Sequence, residues 1–433
     1  MNIRFYNAKI LILGEDKKFS IEEGELWVKN DRICYIGDGK DVGKVCKEDE
    51  LIVWNREIDA GGNLLMPGFK DAHTHTAMTF LRSFADDLPL QEWLNEKVFP
   101  QEAKLTGEDV YYLAILGIME YLTSGITCNF DMYNFPRNLA KASKDTGFRT
   151  VFCSGLNNFV SSLSELEEDY YVIQEMSPLT SFVPGIHAEY TTDKKLMEGL
   201  GRLASKLKTP VFMHNAETKK EVEECKARYG MTPTAITEAL GFYEYGGGGY
   251  HCIWMEESDF EIFKKHDMSV VTNPASNLKL ASGICPVRKF LSHGINIAIG
   301  TDGPASNNCL DMFREMFLTS GLAKLREKDA AFLGADEVLY MATAGGARAM
   351  QLFDCDCLAV GKKADLILID LKKPNMQPEN NIVKNIIYAG SKQNVKMTMV
   401  DGKILYEDGK FSIGFSEEEI YRKVNEITRR ITG

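Results

Sequence analysis

Positive charge is what this chain is short of: 50 Lys and Arg stand against 62 Asp and Glu, a formal net charge of -12 over 433 residues. Such a surface argues against a nucleic-acid partner bound through its phosphate backbone. There is no apolar run of about 18 residues, so no segment reads as a membrane span. The ten cysteines include no Cys-x-x-Cys pair, and Cys355-Asp356-Cys357 is the closest spacing. Reduced, mostly buried thiols are therefore expected. Met1-Asn2-Ile3-Arg4 leads into a strand pattern rather than a signal peptide, and the expected location is the cytoplasm. Histidine is scarce too, at seven residues, and where those seven fall is the most informative feature of the chain.

With 44% hydrophobic and 26% charged residues, the composition is that of an ordinary globular protein of one large domain or two. Both ends read as short strands. Asn30-Asp31 is a turn between Glu25-Leu26-Trp27-Val28 and Ile33-Cys34-Tyr35-Ile36, with Gly37-Asp38-Gly39 closing the second strand. At the far end Ala364 to Asp370 is an apolar run interrupted only by Asp365, and Asp401-Gly402 sits between two strand patterns as a hairpin turn. These ends predict one small β-sandwich domain built from residues 1–60 and 356–433.

The middle alternates strand and helix. Thr106 with Asp109 three residues on predicts a capped helix running to about Ser124, and Gly125 precedes the strand Ile126 to Phe130. The same unit recurs to Ile295–Ile299. Counting the apolar run Leu64-Leu65-Met66 as the first strand gives eight, the pattern of a (β/α)8 TIM-like barrel over residues 61–355. Pro184 sits awkwardly in the fourth strand.

Chemistry in such a barrel lies at the C-terminal strand ends. Five of the seven histidines fall there: His73 and His75 after strand one, His187 after strand four, His214 after strand five and His251 near the end of strand six. His266 and His293 lie on helices and read as surface residues. Gly300-Thr301-Asp302 ends strand eight. His73, His75, His214 and Asp302 supply three imidazoles and a carboxylate, enough for one transition metal with a position left open for water. A divalent ion there would make that water nucleophilic near neutral pH. Glu217, three residues after His214, is placed to carry a proton. His251 could hold or deprotonate the water or support a ligand; His187 could be a ligand, a substrate contact or a core residue. No lysine stands at the end of strand four to bridge a second metal, so one ion is expected. His187-Ala188-Glu189 matches the His-x-Glu of cytidine-deaminase zinc sites, but the Pro-Cys-x-x-Cys those need is missing.

Pro67-Gly68-Phe69 leading into His73-Thr74-His75, then His214-Asn215-Ala216-Glu217, His251-Cys252 and Gly300-Thr301-Asp302, resemble the amidohydrolase superfamily. Three further stretches resemble its 5-methylthioadenosine/S-adenosylhomocysteine deaminases: Asp86 to Leu94, Asn273 to Gly283, and Thr301 to Asn308. The resemblance implies one divalent metal, usually zinc with Fe2+ or Mn2+ as alternatives, held by His73, His75, His214 and Asp302. It implies Glu217 protonating purine N1 as hydroxide attacks C6, with His251 and Asp302 handling the remaining protons. His187 would contact the purine, Glu102 would bind the ribose hydroxyls, and Trp93 would line the pocket. The expected reaction is hydrolytic deamination of a 5′-substituted adenosine, a small-molecule nucleoside, by a homo-oligomer. A free-base or triazine deaminase or chlorohydrolase on the same barrel is the alternative, and a non-catalytic scaffold a distant one. Members that accept S-adenosylhomocysteine carry an arginine where this chain has Ser154, and the loop Asn157 to Ser164 has no basic residue. Small neutral 5′ groups are therefore expected to be preferred.

Overall fold

The computed structural model describes residues 1–39, 53–160 and 162–433. A nine-stranded sheet gathers both chain ends: β1 (Asn2–Leu13), β2 (Phe19–Lys29), β3 (Arg32–Gly37), β4 (Arg56–Asp59) and β5 (Leu64–Pro67) from the first, with β15 (Leu366–Ile369), β16 (Val395–Val400), β17 (Lys403–Glu407) and β18 (Lys410–Phe411) from the second. Its order is β18-β17-β16-β15-β5-β1-β2-β3, with β4 beside β1. Alternate residues of these strands, among them Ile3, Phe5, Leu26, Leu366 and Met399, point inward to a core of their own.

The Leu64 run is not the first barrel strand that the sequence predicts. It pairs antiparallel with β15 and parallel with β1, and so belongs to the terminal sheet. The first barrel strand is instead the next segment, β6 (Phe69–Thr74). Gly68 makes the change of direction possible: a Cβ there would lie 2.1 Å from the Thr127 side chain.

The barrel continues through β7 (Ile126–Met132), β8 (Arg149–Cys153), β9 (Thr180–Val183), β10 (Gly185–Ala188), β11 (Val211–Asn215), β12 (Gly247–His251), β13 (Ser269–Thr272) and β14 (Asn296–Ile299). All neighbours are parallel, in the sheets β6-β7-β8-β9 and β10-β11-β12-β13-β14. Pro184 divides what the sequence presents as one strand into β9 and β10, because proline has no N–H to give the ladder. Counted together they make eight. The Asp302 N–H donates to the His73 carbonyl at 2.9 Å, bringing the chain beyond β14 back against β6. Helices between the strands pack outside, as expected of this α/β fold. The Thr106 cap is present: Thr106 N–H donates to Asp109 Oδ2 at 2.8 Å and Asp109 N–H to Thr106 Oγ1 at 3.3 Å.

The far end is less β-rich than its strand signals suggested. Glu417–Thr432 is a helix capped by Ser416. It buries Ile420, Val424, Ile427 and Ile431 against the helix Gly107–Thr123 and pairs Arg430 with Asp109 at 2.5 Å. No helix among the described residues is long and apolar enough to cross a membrane.

Candidate metal centre and catalytic site

Four strand ends converge on one buried point. His73 leaves β6, His214 leaves β11, His251 ends β12, and Asp302 follows β14. One ligand atom from each of these four lies within 4.8 Å of the other three. His75 reaches the same place, with Nε2 3.2 Å from Asp302 Oδ1 and 3.3 Å from His214 Nε2. Gly300 admits this convergence, since a Cβ there would meet Asn273 Oδ1 at 2.5 Å and the His73 carbonyl at 2.7 Å.

The tautomers are set from behind. His75 Nδ1–H donates to the Met132 carbonyl, His214 Nδ1–H to the His187 carbonyl at 2.6 Å, and His251 Nδ1–H to Asn277 Oδ1 at 2.7 Å. Each Nε2 is left facing the centre, the arrangement that orients imidazoles toward a metal. His75 Nε2 and His214 Nε2 stand 3.3 Å apart, close enough for one cation to take both as ligands in place of a proton. His73 lies fully buried with neither ring nitrogen bonded, stacked on Tyr250 at 3.7 Å between ring centroids. The donor set fits a divalent cation.

Burial and charge act in opposite directions on these rings. Burial pushes His73 down to about 3 and His187 down to about 4, and holds His214 well below the usual histidine range. Burial alone would lower His75 as well, but the Asp302 carboxylate outweighs it and raises His75 to about 9. Asp302 resists burial in the same way: His73 and His75 hold its carboxyl well below the ordinary range. Its Oδ2 accepts from Ser276 Oγ at 2.5 Å and Ser306 Oγ at 3.0 Å, and Oδ1 from the Gly303 N–H at 2.8 Å.

Ala216, His251 and Asp302 all have positive φ, at 50°, 68° and 58°. Left-handed backbone at a non-glycine residue costs energy and persists only where the surroundings enforce it. Glu221 is one such enforcer, accepting the Ala216 N–H at 2.9 Å and the Glu217 N–H at 2.8 Å. Glu217 leaves this turn with Oε2 3.9 Å from His251 Nε2, and Ser282 Oγ donates to its Oε1 at 3.1 Å. Burial raises the Glu217 pKa.

A match to the amidohydrolase family spans residues 64–405. The chain belongs to the amidohydrolase family. Among amidohydrolase relatives, a 5-methylthioadenosine/S-adenosylhomocysteine deaminase of Caldicellulosiruptor saccharolyticus is 36% identical over 431 residues, covering 99% of this chain and 98% of that protein. A 5′-deoxyadenosine deaminase of Methanobrevibacter smithii is 36% identical over 418 residues, covering 94% of each. A crystal structure of an adenosine deaminase from Xanthomonas campestris with bound zinc superposes with a TM-score of 0.92 at 32% identity, over 99% of this chain and 98% of that one. The resemblance carried by the motifs is borne out, and this amidohydrolase is a hydrolytic deaminase.

The other expected residues lie around the amidohydrolase centre at different removes. The His187 ring centroid is 4.8 Å from that of His214, and its Nδ1 lies 3.1 Å from Thr191 Oγ1. Glu102 has a buried Oε1 without a hydrogen-bond partner, as has the Tyr133 hydroxyl. Burial pushes Glu102 up to about 7, tempered by Tyr133 beside it. Trp93 is buried in the main apolar core. Asp71, whose carboxylate accepts from Thr301 N–H at 2.8 Å and Thr301 Oγ1 at 2.6 Å, escaped the sequence reading, as did Glu221, Tyr133 and the roles of Ser276, Asn277 and Ser282. The last three lie inside the Asn273–Gly283 stretch, and their density of small polar residues was the available signal.

Proposed function

We propose that this amidohydrolase hydrolyses the C6 amino group of a 5′-substituted adenosine, giving the inosine analogue and ammonia. The observation that carries this reading is Glu217, which leaves the same turn as His214 and sets one oxygen toward His251 and the other on Ser282. His73, His75, His214 and Asp302 would hold one divalent ion, zinc before iron(II) or manganese(II), which when bound makes water nucleophilic near neutral pH. Glu217, whose pKa burial raises, donates to purine N1 as water adds at C6. His251 and Asp302 take the two protons the water gives up, returning one to the departing ammonia and the other to Glu217. Glu102 accepts from the ribose hydroxyls, His187 contacts the purine, and Trp93 backs the pocket wall.

The 5′ group follows from charge. Ser154 Oγ is committed to the Gly185 carbonyl at 2.6 Å. Arg137 is paired with Asp169 at 2.5 Å and Glu168 at 3.0 Å, and Arg149 with Asp365 at 2.7 Å and Asp401 at 3.1 Å. Arg149 is moreover at the start of β8, away from the strand ends that carry the site, so neither arginine is available to an amino-acid carboxylate there, which loses water at a cost of several kcal/mol. We therefore place 5′-deoxyadenosine, methylthioadenosine or adenosine at least ~10-fold ahead of adenosylhomocysteine in kcat/KM, about 1.4 kcal/mol. The acidic composition and the buried thiols among the described residues suit a cytoplasmic enzyme, and we take it to act as a homo-oligomer.

The test is loss of the adenosine absorbance band with adenosine, methylthioadenosine, 5′-deoxyadenosine, adenosylhomocysteine, adenine and guanine. Turnover of the free bases ahead of the nucleosides would replace this reading with a free-base deaminase. Adenosylhomocysteine as best substrate would overturn the charge argument.

A further inference from the structure

The three side chains assigned to proton handling come from three different strand ends, yet one short segment touches all of them. Within residues 276–282, Ser276 Oγ donates to Asp302 Oδ2 at 2.5 Å, Asn277 Oδ1 accepts from His251 Nδ1 at 2.7 Å, and Ser282 Oγ donates to Glu217 Oε1 at 3.1 Å. All three are buried. The segment is internally braced, with Leu280 N–H on the Ser276 carbonyl and Ser282 N–H on the Asn277 carbonyl, each at 2.9 Å. A shift of this turn would therefore move all three contacts together.

Lys279 lies between these contacts and faces the other way. Its ammonium donates to Asp86 and to Asn308 Oδ1. Asn308 Nδ2 in turn donates to Asp86 Oδ2 at 3.2 Å and Ser83 Oγ at 3.1 Å, and the Asn308 carbonyl accepts from Arg82 Nη1 at 2.6 Å. Residues 82–87 follow β6 and lead into the helical segment that carries Trp93 and Glu102. The bridge from Lys279 is thus the link between the proton-handling groups and the segment assigned to ribose binding. At 24% and 30% exposure the two charged side chains can separate into water without a large desolvation change.

We propose that residues 276–282 are a clamp that fixes Asp302, His251 and Glu217 relative to one another, and that the Lys279–Asp86 bridge latches this clamp to the segment over the substrate. Ser276, Asn277, Ser282 and Lys279 are then positioning residues, and the alignment of the proton-handling groups depends on where the 82–102 segment lies. The proposal rests on the deaminase reading for its catalytic meaning, but the latch itself has a readout independent of chemistry.

The experiment compares Lys279→Met, Asp86→Asn and the double variant as purified, metal-loaded enzymes. Hydrogen–deuterium exchange over residues 274–283 should rise several-fold in either single variant and no further in the double. On the best nucleoside of the panel, kcat should fall about 10-fold in each single variant and equally in the double, with metal content and thermal midpoint near those of the parent. Lys279→Arg should recover most of the kcat. Unchanged exchange in the single variants overturns the latch, as does additive loss in the double. A kcat loss that tracks lost metal or a lowered thermal midpoint reassigns Lys279 to stability alone and overturns it too. If the parent deaminates no nucleoside while exchange responds as stated, the functional reading falls and the latch stands.

Discussion

Glu217 and Glu102 are both carboxyls whose pKa burial raises, yet they should fail in different ways. Glu217 ligates nothing in the proposed scheme, so Glu217→Gln should retain its metal and lose at least ~10²-fold in kcat; near-normal turnover would remove it from the mechanism. His214→Ala should instead lose activity together with metal, falling well below one equivalent by elemental analysis. Truncating Glu102 to Ala should cost on the order of 2–4 kcal/mol in kcat/KM for nucleosides. A 2′,3′-dideoxy substrate should suffer in the parent enzyme and little more in that variant. Residues of this kind were legible because their chemistry is written into their type and spacing: a His-x-His, a His with Glu three on, and a Thr-Asp at a strand end. Their supports were not. Asn277 and Asp71 act through partners 26 and 230 residues away, and no local pattern announces such a pairing. The left-handed backbone at His251 and Asp302 is equally hard to read, because histidine and aspartate adopt it more often than most non-glycine residues but still only in a small minority of positions.

At the scale of elements, Pro184 and Ser154 belong together. Where Pro184 interrupts the fourth barrel strand, the Ser154 hydroxyl donates to the Gly185 carbonyl and accepts the Gly185 N–H at 2.7 Å, joining β8 to β10 across the gap. Ser154→Ala should leave both backbone groups without that partner, lowering stability by about 1–3 kcal/mol in urea unfolding. An unchanged midpoint would show that the staple contributes nothing. Ser154→Arg, which charge alone recommends for capturing a carboxylate, would break the same staple, so an effect on adenosylhomocysteine turnover is interpretable only beside the unfolding curve. The break itself could be read from Pro184, whereas its repair by a serine 30 residues earlier could not. The C-terminal helix was legible and still passed over. Ile420, Val424, Ile427 and Ile431 repeat at helical spacing after a Ser416 cap, but the Asp401-Gly402 hairpin just before them set the expectation of strands for the whole end.

Across the molecule, charge buried between the terminal sheet and the barrel sets how stability responds to pH. Arg149 at the start of β8 is held by Asp365 and Asp401 from the far end of the chain. Burial opposes ionisation of Asp365, but Arg149 outweighs it and lowers the pKa. A depressed carboxyl contributes stability above its unfolded value that is lost as pH falls through the folded one. Arg149→Met should then cost about 3–5 kcal/mol by stranding that carboxylate, and Asp365→Leu in the same chain should restore part of it. Glu315 has the opposite sign. It lies on the helix Met312–Glu327, fully buried, accepting from the Ala275 N–H at 3.0 Å and Asn307 Nδ2 at 2.9 Å. Burial outweighs these donors and pushes it from 4.5 up to about 8. Between those two values the folded chain keeps a proton that the unfolded chain has released. Stability from this group is therefore full at the acid side of 4.5 and declines as pH rises through about 8, with a slope of at most ~1.4 kcal/mol per pH unit. Glu315→Gln cannot titrate, so its denaturation midpoint, whatever its level, should fall less steeply than the parent's from pH 5 to pH 8 by up to that amount. Parallel curves for the two proteins would mean that Glu315 is ionised in the folded state and that its two donors outweigh burial.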